Sequence, residues 1–266
     1  MHNDEHDDIR SAVRETYGNV AQGGGGCCST AGCCDSTPET VASKRIGYSD
    51  DELGTVPQGA DLGLGCGNPQ AIAALKTGET VLDLGSGAGF DCFLAARAVG
   101  ESGQVIGVDM TTAMLDKARE NARNGGYRNV QFRLGEIEHL PVGDARVDVI
   151  ISNCVINLSP DKAQVFREAI RVLKPGGRLA INDVVATAEL PEQVRQDLAL
   201  YTGCMAGASS IDELEAMMRD AGFEAIRISR KDESREFIRD WAPGRGVEAY
   251  VASASIEAIK PQESHR

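Results

Sequence analysis

The chain has 266 residues, a formal net charge of −13 and 42% hydrophobic residues, enough for one large domain with extensions. Such acidity repels phosphate backbones and argues against nucleic acid as a partner, and no run approaches the roughly 18 apolar residues that a membrane span needs. The start, MHNDEHDDIR, is acidic and lacks an apolar core, so no secretory leader is expected and a cytoplasmic location is.

Ile9, Val13 and Tyr17 recur every four residues, which predicts an amphipathic helix over 4–21 that Gly23–Gly26 stops. Cys27, Cys28, Cys33 and Cys34 follow as a short thiol cluster. Residues 35–57 are polar and expected to be weakly structured, apart from a helical turn over 48–53. Beyond Glu79 the pattern alternates. Strands are expected at 80–84, 104–109, 130–133, 147–152 and 178–184, with helices at 89–99, 113–124 and 163–173. Pro175-Gly176-Gly177 ends the last of these helices. This alternation predicts an α/β fold, a doubly wound, mostly parallel sheet with helices on both faces. Helices at 191–202 and 212–221 and strands at 224–229 and 248–254 would cap it and complete the sheet. The expected organisation is an N-terminal helix and Cys-rich extension over 1–60, a core over 61–188 and a C-terminal cap over 189–266. No internal repeat is present.

The strand at 80–84 runs into Gly85-Ser86-Gly87-Ala88-Gly89 and then a helix. Glycines there let backbone approach a ligand, but dinucleotide sites share the pattern. Further features narrow it. Asp83 precedes the glycines within the strand. Asp109 ends the next strand about twenty residues on, where an acid can bind ribose hydroxyls. Gly135-Glu136-Ile137-Glu138-His139-Leu140-Pro141 follows the third strand. Over residues 78–185 the set resembles the class I S-adenosylmethionine (SAM)-dependent methyltransferases. The resemblance implies SAM as cofactor, with Asp83, Gly85, Ser86, Gly87 and Gly89 at its methionine part and Asp109 on its ribose. Met110 would pack on adenine, and Glu136, Ile137 and Glu138 would form its edge, either carboxylate taking the amino group. Asn153, ending the fourth strand, would face the methyl group. The rival, a dinucleotide reductase, leaves 136–141 and Lys174-Pro175-Gly176-Gly177 unexplained.

The eight cysteines, in a compartment where thiols stay mostly reduced, read as ligands, redox groups or packing rather than as a disulfide framework. Cys154 follows the fourth strand, in Asn153-Cys154-Val155-Ile156-Asn157-Leu158, where many amine methyltransferases carry a polar-Pro-Pro-aromatic motif. A buried small residue would explain it equally well. Cys66, between Gly65 and Gly67, is expected to be exposed and mobile, and Cys204 falls in a region expected to lid the substrate. Cys92 lies on an apolar stripe and reads as packing, and His139 as a loop residue.

Taken with Gly65-Cys66-Gly67-Asn68-Pro69, Asp83 to Cys92, Asp109-Met110-Thr111, Ser152 to Leu158 and Gly203-Cys204, the chain resembles the arsenite methyltransferases over about 60–210. That resemblance implies that Cys66, Cys154 and Cys204 bind trivalent arsenic, from arsenite and then methylarsenite. It also implies that one of Cys27, Cys28, Cys33 and Cys34, with Cys34 the leading candidate, acts beside Cys66 as a ligand or disulfide partner, and that glutathione or thioredoxin serves as reductant. Soft thiolates suit a soft centre, and the arsenic lone pair can attack the SAM methyl without a general base. Two other readings stay open: methylation of a small organic molecule, with the cysteines as packing, and metalloid sequestration by the 27–34 cluster. A zinc knot is disfavoured because adjacent cysteines crowd one ion.

Overall fold

The computed structural model describes residues 2–23 and 39–262, with side chains from His6 onward; Cys27, Cys28, Cys33 and Cys34 lie outside the described residues. The helices and strands run His2–Ala21 (α1), Glu39–Arg45 (α2), Asp50–Thr55 (α3), Gln70–Ala73 (α4), Thr80–Leu84 (β1), Phe90–Val99 (α5), Gln104–Asp109 (β2), Thr112–Asn124 (α6), Val130–Leu134 (β3) and Val147–Asn153 (β4). They continue with Lys162–Val172 (α7), Leu173–Ala186 (β5), Glu192–Arg195 (α8), Leu198–Thr202 (α9), Ile211–Ala221 (α10), Glu224–Lys231 (β6), Arg235–Trp241 (α11) and Val251–Ile259 (β7).

Side-chain alternation along β1 explains the layers. Leu82 and Leu84 pack with Val165 and Phe166 of α7 and Leu214 and Met218 of α10 on one face. Val81 packs with Cys92, Ala95 and Val99 of α5 on the other. Successive strand residues point to opposite faces, so a strand covered by helices on both sides must be apolar nearly throughout. The exception in β1 is buried Asp83, which belongs to the site described below.

The seven strands form one sheet in the order β3-β2-β1-β4-β5-β7-β6. β1 to β5 pair in parallel, while β7 pairs antiparallel with both β5 and β6. The fold is therefore the expected α/β sheet, mixed but mostly parallel. Its order reverses between β1 and β4, and ligands of such sheets bind outside the carboxyl ends of the strands at that switch. Gly85–Gly89 and Cys154 both emerge there.

The elements depart from expectation in several places, the short helix α4 among them. The segment 191–202 is two helices, because Asp197 accepts a hydrogen bond from Leu200 N at 3.1 Å and starts α9 afresh. The last strand runs later than 248–254: Val247–Ala249 form a 3-10 turn, and β7 then pairs with β5 as far as Arg178–Ile259. Lys174–Gly177 bulges within β5, where pairing jumps from Val147–Leu173 to Val149–Arg178. Lys174 Nζ donates to both Asp148 oxygens at 2.8 and 2.9 Å across that bulge. Polar composition hid α2 and α11; Ile238 of α11 is nonetheless fully buried, and the Phe237 and Trp241 rings lie 5.3 Å apart. Among the described residues no helix is long and apolar enough to cross a membrane.

Candidate active site

A cavity of about 670 Å³ opens over the switch point and runs from the Gly85–Gly89 turn to Cys154 and Cys204. At its first end Asp109 ends β2, and its carboxylate accepts from Gly87 N at 2.9 Å and Thr111 N at 2.8 Å. Burial pushes the Asp109 carboxyl up, against the pull of those donors. The three glycines of the turn do different work. Gly87 has φ +51° and only Met114 Sδ, at 4.0 Å, near the place a Cβ would take. A ligand can approach that backbone. A Cβ at Gly85 would strike Val155, and one at Gly89 would lie 2.8 Å from Phe93 and Phe132. Those two glycines make room for protein. Ser86 Oγ is buried and lacks a hydrogen-bond partner among the described residues, an orphan that a bound ligand would satisfy.

Behind the turn lies a pair of buried carboxylates. Cys92 Sγ donates to Asp83 Oδ2 at 3.2 Å, so this thiol is buried but does more than pack. Tyr48 Oη donates to Asp91 Oδ1 at 2.8 Å. Burial pushes Asp83 well above the usual carboxylate range, helped by the neighbouring charge of Asp91, and burial lifts Asp91 to about 6. No ion pair among the described residues reaches either one, and both line the cavity. A cationic ligand group would answer that charge. Asp91 falls within the Asp83 to Cys92 stretch that carries the resemblance, without a role of its own there, and Tyr48 has no sequence signal of a site.

Along one wall, Ile137 and Glu138 are buried and Glu136 is half-buried. Glu138 Oε1 accepts from Ser159 Oγ at 2.7 Å and from Arg10 at 3.4 Å. Glu136 pairs with Arg10 at 3.6 Å and with Arg14. Both arginines come from α1, whose sequence pattern marks only an amphipathic helix. The same helix sends Val13 and Tyr17 against Met110, Leu158, Cys154 and Cys204. His139 is exposed in the following turn.

The three cysteines converge at the far end. Cys154, at φ +60°, and Cys204, at φ +63°, both hold left-handed backbone, a strained state for residues with a Cβ. Cys204 Sγ donates to Cys154 O at 2.7 Å. The Cys154 thiol shares hydrogen bonds with the thiols of both Cys204 and Cys66. Contrary to expectation, Cys66 is only 1% exposed. Its loop passes so close to the sheet that a Cβ at Gly65 would lie 2.7 Å from Asn153 Nδ2. Cys66 N donates to Asn153 Oδ1 at 2.9 Å, and Asn153 Nδ2 donates to Gly67 O at 2.7 Å and Tyr48 Oη at 3.0 Å. Asn153 lines the cavity, but its amide is engaged with the thiol loop. Sharing hydrogen bonds with Cys204 and Cys66 pushes the Cys154 thiol well above its ordinary range, and burial pushes up Cys66. Asp183, which has no local sequence signal of a site, stands with them: its carboxylate and the Cys66 and Cys154 sulfurs lie within 4.8 Å of one another.

Comparison with known proteins agrees with this geometry. A methyltransferase-domain family model matches residues 75–222. An arsenite methyltransferase from Halobacterium salinarum is 56% identical over 263 residues, covering 96% of this chain and 67% of that protein. The chain belongs to the arsenite methyltransferase family. A second member, from Aquipseudomonas alcaligenes, is 42% identical over 83% of this chain and 63% of its own length. The chain thus spans about two thirds of the length of these relatives. The crystal structure of an arsenic(III) S-adenosylmethionine methyltransferase from Chlamydomonas reinhardtii matches with a TM-score of 0.61 and 36% identity, over 83% of this chain and 73% of that one.

As a class I methyltransferase fold, the site has a testable division of labour. Asp109→Ala removes the acceptor that organises Gly87 and Thr111, and should weaken SAM at least about tenfold in equilibrium dialysis while leaving arsenite binding in place. Undiminished SAM affinity would overturn the ribose assignment. A second test concerns the thiols. The folded protein holds the Cys66 and Cys154 protons more tightly than the unfolded chain does, whose thiols titrate near 9. That contribution is complete below the unfolded value and lost as pH rises through the folded values. Urea midpoints measured from pH 7 to 10 should fall less in Cys154→Ser than in the wild type; an equal fall would contradict the shared thiol protons.

Proposed function

We propose that the chain transfers the methyl group of SAM to trivalent arsenic bound by Cys66, Cys154 and Cys204. The observation that carries this reading is the meeting of three free thiols from three distant stretches of sequence: Cys154 and Cys204 line the end of a cavity whose other end suits a nucleotide, and buried Cys66 lies against Cys154. Three sulfurs satisfy a trigonal pyramidal arsenic and leave its lone pair free. The raised thiols of Cys66 and Cys154 keep their protons while arsenic is absent. When arsenous acid binds, each thiol proton leaves with an arsenic hydroxide as water, so no base is required.

On the cofactor side, Ser86, Gly87, Asp109 and the Asp83–Asp91 pair would hold SAM, with Glu136, Ile137, Glu138 and Met110 around its adenine. When bound, SAM supplies an electrophilic methyl group on a sulfonium. The chain's own contribution is to orient: Asn153 fixes the Cys66 loop, the left-handed turns at Cys154 and Cys204 aim their sulfurs inward, and α1 roofs the cavity against water. Methylarsenite, with two exchangeable hydroxides, would occupy two of the three thiols as a second substrate. Glutathione or thioredoxin would restore reduced cysteines by thiol exchange, and Cys34 or its neighbours would assist Cys66. Such thiols need a reducing setting, which the cytoplasm provides.

Incubation with arsenite, SAM and excess glutathione, followed by arsenic speciation, tests the reading. Methylated arsenic should appear only with both protein and SAM, and Cys154→Ser and Cys204→Ser should each abolish it while SAM affinity changes little. Near-normal turnover in either variant would sink the three-thiol site. Arsenite recovered unchanged by the wild type, with SAM still bound, would send the search to small organic nucleophiles.

A further inference from the structure

Asp183 is a buried acid at the carboxyl end of β5, 2% exposed, and the methyl transfer described above gives it no task. Its Oδ2 accepts from Ile156 N at 2.8 Å, and its Oδ1 accepts from Asn157 Nδ2 at 2.9 Å and Val184 N at 2.7 Å. Three donors hold it as an anion. Lys162 is near enough to favour that charge, but its Nζ donates to Gly207 O and Ser209 Oγ and makes no ion pair with Asp183. Burial makes the charge costly, raising the carboxyl to about 6. Merely bracing the Val155–Asn157 turn would not call for a charge; a neutral side chain would hold such a loop without burying one. What distinguishes Asp183 is its position, within 4.8 Å of two sulfurs that would bind arsenic.

We infer that Asp183 stabilises the positive charge that appears on arsenic as the methyl group arrives. The inference rests on the proposed function. In that step the arsenic lone pair forms the As–C bond. The C–S bond breaks, its electron pair stays on the sulfonium sulfur, and that sulfur becomes a neutral thioether. No proton moves. Arsenic bound by three thiolates is neutral before the step and a four-coordinate cation after it, so one unit of positive charge crosses from the cofactor end of the cavity to the thiol end. A fixed carboxylate beside the thiols is complementary to that second arrangement. Because it favours the transition state over neutral bound arsenite, its effect falls on rate and not on arsenite affinity. This separates Asp183 from Asn153 and Asn157, which act through geometry: Asn153 on the Cys66 loop, and Asn157 by donating to Cys204 O at 3.4 Å.

Single-turnover methyl transfer at saturating arsenite and SAM, read beside arsenite binding by equilibrium dialysis, tests it in wild type, Asp183→Asn and Asp183→Ser. Asp183→Asn should bind arsenite within about threefold of wild type yet transfer the methyl group about 100-fold more slowly, the order seen when one preorganised electrostatic partner is lost. Asp183→Ser, which also removes the charge, should be slowed to a similar extent and carries the test if Asp183→Asn does not fold. Transfer by either folded variant at the wild-type rate would overturn the inference, as would a loss of arsenite affinity that matches the loss of rate. Absence of transfer in the wild type would instead overturn the proposed function, and this inference with it.

Discussion

Asn153 carries more of the site than any other side chain. Its amide accepts from the Cys66 backbone and donates to Gly67 O and Tyr48 Oη, joining the end of β4 to a loop 87 residues earlier and to the aromatic acid partner of Asp91. An amide is suited to this because it accepts at one end and donates at the other. Away from water these bonds strengthen one another, and none has a ready substitute. Without them the Cys66 loop would have no fixed position relative to Cys154, and the site would reduce to two thiols.

Holding the three thiols together has a cost in backbone strain. Cys154 and Cys204 both occupy left-handed backbone, of order 1–3 kcal/mol each for residues with a Cβ. The surrounding hydrogen bonds over-determine those turns: Cys154 N donates to Asn182 O at 2.8 Å, and Cys204 N to Tyr201 O at 2.9 Å. α1 adds the roof. Val13 and Tyr17 cover the thiol end, while Arg10 and Arg14 neutralise Glu136 and Glu138 along the other wall. One helix thus covers both ends of the cavity, and excluding water strengthens every electrostatic contact beneath it.

Much of the fold was legible because buried parallel strands read as short apolar runs and the glycine turn sits where one run ends. The sheet order, with β7 between β5 and β6, was not, since pairing as distant as Arg178 with Ile259 leaves no local pattern. At the site, residues next to a glycine signal or a strand end stood out: Asp109, Gly87, Cys154. Tyr48, Asp183 and the α1 arginines did not, because their roles come from tertiary contacts. Cys66 shows the limit most clearly. Its flanking glycines suggested mobility, whereas Gly65 is glycine because Asn153 fills the space a Cβ would need. The same residue type signals freedom in a loop and close approach against a sheet, and only the neighbour decides which.

The central claim is that three cysteines bind one arsenic atom. Arsenic K-edge X-ray absorption of the full chain loaded with one equivalent of arsenite measures this directly. The account predicts a first shell of three sulfurs, reduced to two sulfurs with one oxygen or nitrogen in Cys66→Ser. A wild-type shell with fewer than three sulfurs, or a three-sulfur shell that survives in Cys66→Ser, would contradict it.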